Sequence, residues 1–134
     1  MSKGTRVLFV DDHEGVRLSI TCLLEASGAA VTAVSSGFEA LAAMDQARFD
    51  VVCTDLGLPG MDGGQLISVM QDRGITTPVV LISGAPPSRI QAALLGKPEP
   101  QAIIGKPAPF GELIATIERL AHLHQDSSRS VRVA

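Results

Sequence analysis

The amino-acid sequence predicts an α/β fold in which five parallel strands alternate with five helices, a doubly wound (βα)5 sheet with helices on both faces. Five short runs rich in Val and Ile recur along the chain, apolar throughout, as strands covered on both faces require. Segments with helical spacing of apolar residues separate them. The 134 residues suit one domain, since single cores usually span about 100–150 residues.

The first strand is Val7–Val10, and Val16, Ile20, Leu23 and Leu24 share one face of the helix after it, with Gly28 as its C′ residue. Ala30–Val34 is the second strand. Ser36 with Glu39 three residues on forms a capping-box pattern, opening a helix that carries Phe38, Leu41 and Met44. Val51–Thr54 is the third strand, and its helix carries Leu66, Ile67, Val69 and Met70 and ends at Gly74. Val79–Ile82 is the fourth. Behind Pro86, Pro87 and Ser88 comes a shorter helix with Ile90, Leu94 and Leu95. Ala102–Ile104 is the fifth strand, followed by a helix with Leu113, Ile114, Ile117 and Leu120. Residues 122–134 show no amphipathic period and read as a flexible tail behind a domain of residues 1–121.

An apolar fraction of 46% against 19% charged residues allows a filled core and excludes global disorder. With four Phe and neither Trp nor Tyr, that core is aliphatic. A formal charge of −3 is wrong for a nucleic-acid or anionic-membrane footprint, which needs clustered cations. Cys22 and Cys53 lie in apolar segments and read as buried, reduced thiols without a disulfide. No window approaches the ~18 apolar residues of a membrane span, and the N-terminus lacks a signal-peptide core. A cytoplasmic protein is expected.

In open α/β sheets ligands sit beyond the carboxyl ends of the strands, near the reversal of strand order. The residues found there are Asp11 and Asp12 after strand one, Asp55 after strand three, Ser83 after strand four and Lys106 after strand five. Three carboxylates crowded together need a cation, and a hard-oxygen set too small to fill a shell suits Mg²⁺, completed by water and a phosphate. Lys106 and Ser83 then supply a point charge and a hydroxyl donor for a phosphoryl group. One carboxylate can itself act as nucleophile, giving an aspartyl phosphate, while Mg²⁺ and Lys106 offset the repulsion between anions. In "DLGLPGMDG", residues 55–63, Pro59, Gly60 and Gly63 make turns, and Gly57 leaves its backbone carbonyl unobstructed as a further metal oxygen. Pro107 directly after the lysine admits a cis Lys106–Pro107 bond that would fix the side chain's aim.

The ordered set "VLFVDDHEGVR", "DVVCTDLGLPGMDG", "VVLISGA" and "IIGKPAPFGEL" resembles the response regulator receiver domain of two-component signalling, from residue 5 to about residue 121. The resemblance implies a flavodoxin-like sheet of strand order 2-1-3-4-5. It implies that Asp55 accepts a phosphoryl group from a phosphohistidine on a sensor histidine kinase or a histidine phosphotransfer domain. Asp12, Asp55 and the Gly57 carbonyl would ligate Mg²⁺, with Asp11 holding the metal directly or through a water. Ser83 and Lys106 would contact the phosphoryl oxygens, and phosphorylation would reshape the face of the fourth helix, fifth strand and fifth helix. The chain departs from the family pattern at Ile103, where an aromatic ring often takes part in the switch, and in the two prolines before the fourth helix.

The resemblance makes the chain a signalling switch rather than an enzyme with an independent substrate. It leaves open whether the receiver stands alone or belongs to a larger protein, and whether it pairs with a second copy through helices four and five. The alternative is a phosphorylation-independent pseudo-receiver that binds protein, motivated by Ile103 and the diproline. A phosphatase working through an aspartyl phosphate would need a second acid two residues after the nucleophile, where Gly57 stands. A flavodoxin-type electron carrier would need a loop after strand one rich in Ser, Thr and Gly instead of an acidic one. His13 is expected to face solvent.

Overall fold

A computed structural model describes residue 1 and residues 3–133, with side chains as far as residue 125. In chain order the elements are β1 (Arg6–Val10), α1 (Glu14–Ala26), β2 (Ala30–Val34), α2 (Gly37–Gln46), β3 (Val51–Asp55), α3 (Gly63–Asp72), β4 (Val79–Ser83), α4 (Pro87–Leu94), β5 (Ala102–Gly105) and α5 (Phe110–Val133). The strands form one sheet in the order β2-β1-β3-β4-β5, all neighbours parallel.

Alternate residues of the central strands point to opposite faces, which divides the core in two. Val7, Phe9, Val51, Cys53, Val80 and Ile82 face α1 and α5, meeting Leu24, Leu113, Ile117 and Leu120. Leu8, Val10, Val52 and Val79 face α2 and α3, meeting Leu41, Leu66, Ile67 and Met70. A smaller cluster of Leu56, Leu81 and Ile90 holds α4, whose buried residue is Ile90. Each side chain so buried contributes about 1.5–3 kcal/mol of transfer free energy, which explains how an aliphatic core suffices without Trp or Tyr.

Local chemistry sets the helix ends. The Glu39 backbone N–H donates to Ser36 Oγ at 3.1 Å, capping α2 as the Ser-x-x-Glu pattern requires. The carboxylate of Glu39 turns to the Ser35 and Ser36 hydroxyls, and the Ser35 hydrogen bond holds its pKa below the ordinary carboxylate value. Asp62 and Gln65 form a full capping box on α3, at 2.8 and 2.9 Å, legible as Asp-x-x-Gln but unread from the sequence. Gly28 and Gly74 follow α1 and α3 at φ +105° and +73°, where a Cβ would be strained.

Several expectations need correction. β2 lies at a sheet edge and is largely exposed, so its apolar run does not mark a strand covered on both faces. Along α1 the face of Val16 and Leu23 is exposed, and Leu24 is the buried residue. Leu95 caps α4 and is 83% exposed, so it takes no part in an apolar helix face. α5 continues to Val133, past residue 121, where Leu120 and Ala121 end the packing described against the sheet. The side chains of residues 126–134 lie outside the described residues, as do those parts of the tail expected at 122–134. Among the described residues no helix is long and apolar enough to cross a membrane.

The two thiols also differ from the expectation that both are buried. Cys53 is fully buried on β3, and burial pushes its thiol up to about 12, whereas Cys22 is exposed on α1. Since the thiolate is the reactive form, only Cys22 should react with a thiol reagent in the native protein. Titration with Ellman's reagent should give one fast thiol in buffer and both in denaturant. Two fast thiols in buffer would show that the β3 layer opens.

Candidate functional site

The sheet register brings the strand ends together. Val10 pairs with Thr54, so the residues that follow, Asp11 and Asp55, stand abreast on neighbouring strands. Asp55 pairs with Ile82, and Ser83 pairs with Gly105, placing Ser83 and Lys106 one step further along. The reversal in strand order falls between β1 and β3, at the carboxylates themselves.

The centre of the site is the Lys106 ammonium. Its Nζ donates to Asp55 Oδ2 at 2.9 Å and to Asp11 Oδ2 at 3.4 Å. Burial opposes its charge, but the hydrogen bond and charge of Asp55, with those of Asp11, outweigh burial and hold the lysine above its ordinary pKa. The Lys106 backbone N–H donates to the Ser83 carbonyl at 3.0 Å, and the Lys106–Pro107 peptide bond is cis.

Asp11 is 2% exposed and tied from several sides. Its own N–H donates to the Val34 carbonyl, and its Oδ1 accepts the His13 N–H at 2.9 Å. The Arg17 guanidinium donates to the Asp11 carbonyl at 2.8 Å. From the sequence Arg17 was indistinguishable from a solvated helix arginine. Asp12 is more open, at 36%. The His13 ring turns back onto the two aspartates, although it is 74% exposed.

Ser83 is buried, and its Oγ accepts the Ala85 N–H at 3.1 Å, leaving the hydroxyl hydrogen free to point elsewhere. The Gly57 N–H reaches Asp55 Oδ1 at 3.4 Å, and a Cβ at Gly57 would meet nothing within 4 Å. Ile103 is 49% exposed on β5, paired in register with Leu81. The structure thus joins Asp11, Asp55 and Lys106 directly, and groups Asp12 with Asp11 and His13, whose donor atoms lie within 4.8 Å of one another. His122 and His124 lie on α5, outside that group.

Fold and site together define a doubly wound α/β module with an acidic cleft and a lysine at its topological switch point. A family model described as the response regulator receiver domain matches residues 7–118, and the chain belongs to that family. It is 35% identical over 124 residues to the sensory/regulatory protein RpfC of Xanthomonas campestris pv. campestris, covering 89% of this chain and 17% of RpfC. The chain therefore spans about a sixth of that relative. Among solved structures, the Francisella response regulator 1452 receiver domain shares 26% identity at a TM-score of 0.78, covering 89% of this chain and 98% of that one. The receiver domain of sensor histidine kinase PA1611 from Pseudomonas aeruginosa PAO1, at 22% identity and a TM-score of 0.81, covers 89% of this chain and 98% of its own and shares the fold. That protein is described with a magnesium ion coordinated in its active site cleft.

Proposed function

We propose that Asp55 is the phosphoacceptor of a two-component phosphorelay, taking its phosphoryl group from a phosphohistidine on a sensor histidine kinase or a histidine phosphotransfer domain. The observation that carries this reading is the bridge from Lys106 to both Asp55 and Asp11 at the switch point of the sheet. A bare carboxylate is a poor nucleophile toward a phosphoryl group because both are anions. Lys106, kept charged by its two partners, offsets that repulsion at Asp55 Oδ2 and can move with the incoming phosphoryl oxygens.

The donor set fits Mg²⁺: Asp11 and Asp12, with Asp55 and the Gly57 carbonyl beside them, are hard oxygens and leave room for water. When bound, the ion would neutralise charge on the carboxylates and on the transferred group. The Ser83 hydroxyl hydrogen, which its contact with Ala85 leaves free, would then donate to a phosphoryl oxygen. The likeness to the sensory/regulatory protein RpfC, and the magnesium described in the receiver domain of sensor histidine kinase PA1611, support this assignment. Residues 1–121 would be the receiver and 122–134 a tail.

The output would be the α4–β5–α5 face. α4 is the shortest helix, with one buried side chain, Ile90, and no side-chain cap at Pro86, so displacing it costs less than displacing α3, which has a capping box and buries Leu66, Ile67 and Met70. Ile103 sits on that face where an aromatic switch would be, so packing of an aliphatic side chain must carry the change. The rival reading, a pseudo-receiver that binds protein without phosphorylation, is not favoured by the complete acidic set. Adding beryllofluoride and Mg²⁺, which mimic the phosphoryl group, should move amide NMR signals from residue 83 through residue 110. Signals that stay in place would favour the rival.

A further inference from the structure

We infer that His13 is a ligand of the cation bound at Asp11 and Asp12, and that it draws the site's preference from Mg²⁺ toward first-row transition-metal ions. This rests on the proposed metal site and concerns the residue that sets its selectivity. The His13 Nδ1 lies 3.3 Å from Asp12 Oδ1 and 3.6 Å from Asp11 Oδ1, and one donor from each of the three residues falls within 4.8 Å of the others. Neighbouring donors around an ion with bonds of about 2.1 Å lie about 3.0–3.4 Å apart, so His13 Nδ1 already stands close to that spacing from each aspartate.

Helix capping does not account for the ring's position. His13 occupies the N-cap of α1 but makes no side-chain cap hydrogen bond, unlike Ser36 on α2 and Asp62 on α3. An exposed imidazole is free to extend into water, yet this one folds back over the two carboxylates. Its backbone is fixed there by the hydrogen bond from the His13 N–H to Asp11 Oδ1, while the Lys106 ammonium takes the other oxygen, Oδ2. The side of the cleft toward His13 is therefore the side on which Asp11 and Asp12 have no ammonium partner among the described residues.

The chemical consequence follows from ligand softness. An all-oxygen set suits Mg²⁺, whereas an imidazole nitrogen adds little for Mg²⁺ and much for ions along the series from Mn²⁺ to Zn²⁺. Mn²⁺, lowest in that series, is the most demanding probe. Mn²⁺ binding followed by electron paramagnetic resonance, with Mg²⁺ as competitor, should show a preference for Mn²⁺ that falls by about tenfold in His13→Ala. The bound Mn²⁺ should also show nitrogen coupling from an imidazole, lost in His13→Ala and kept when His122 and His124 are both replaced by alanine. An unchanged preference and unchanged nitrogen coupling in His13→Ala, with Mg²⁺ still supporting phosphorylation, would overturn the role of His13 and leave the proposed function intact. Nitrogen coupling from His13 in a protein that takes up no phosphoryl group with either ion would support the ligand and overturn the proposed function. Failure to bind either ion would overturn both.

Discussion

Asp55→Ala is expected to take up no phosphoryl group from acetyl phosphate and Mg²⁺, under conditions in which the wild-type protein acquires one. Mass spectrometry or a Phos-tag gel reads the result directly. The loss should be complete because the carboxylate is the nucleophile itself, and neither Asp11 nor Asp12 can replace it. Asp11 is buried, with one oxygen taken by the His13 N–H and the other facing Lys106, and Asp12 has no such ammonium contact among the described residues. Folding should survive. Asp55 is a charge at the carboxyl end of the central strand and not part of the core clusters, and its removal leaves Lys106 paired with the buried Asp11. The thermal midpoint without metal should therefore stay within a few degrees of wild type or rise, since crowded like charges are relieved.

The metal adds a second reading of the same variant. An ion that binds only the folded state stabilises it by about 2.7 kcal/mol at one hundred times its dissociation constant. Wild type should show a Mg²⁺-dependent rise in midpoint, and Asp55→Ala a smaller one. Equal phosphorylation of the variant would remove Asp55 from its proposed role, whatever the stability data show.

Gly63→Ala should lower stability by about 1–3 kcal/mol, the usual cost of forcing a methyl group into a filled site. Gly63 opens α3 without a positive φ, so space rather than backbone conformation demands glycine there. An added Cβ would stand 2.7 Å from the Asp55 carbonyl oxygen, 2.9 Å from Leu81 Cδ1 and 3.1 Å from Leu56 Cα. Two of those neighbours are backbone atoms of the segment that carries Asp55, and backbone cannot rotate aside. The Gly63 N–H also donates to the Leu56 carbonyl at 2.8 Å, so shifting the helix would break a contact that holds the loop. The variant should consequently lose phosphorylation rate as well as stability. Gly111→Ala is the control: a Cβ there meets nothing within 4 Å, and removing glycine from a helix should raise stability by about 0.4–1 kcal/mol. Equal midpoints for the two variants in a thermal melt would refute the close approach at Gly63.

Much of the site was legible because its chemistry is placed by strand ends. A parallel sheet aligns its carboxyl ends, so Asp11, Asp55, Ser83 and Lys106, widely spaced in sequence, had to converge once the strands were recognised. The rotation of His13 onto the aspartates, and the reach of Arg17 to the Asp11 carbonyl, were not legible. Both depend on the direction in which α1 leaves β1, and residue type alone does not encode that direction. The exposure of Cys22, Val16 and Leu23 was missed for a related reason. Apolar spacing shows which residues of a helix share a face, but not how much of that face a neighbour covers.

The sequence by itself determined the five strand–helix units, the aliphatic core and the set of groups available to the cleft, because hydrophobic period and strand-end position are properties of the chain. The tertiary structure decided which groups touch. It gave Lys106 to Asp55 and Asp11, turned His13 toward Asp11 and Asp12, and left α4 resting on one buried isoleucine. The Lys106 contacts join residues 51 and 95 positions apart, which only the assembled sheet brings within hydrogen-bonding distance.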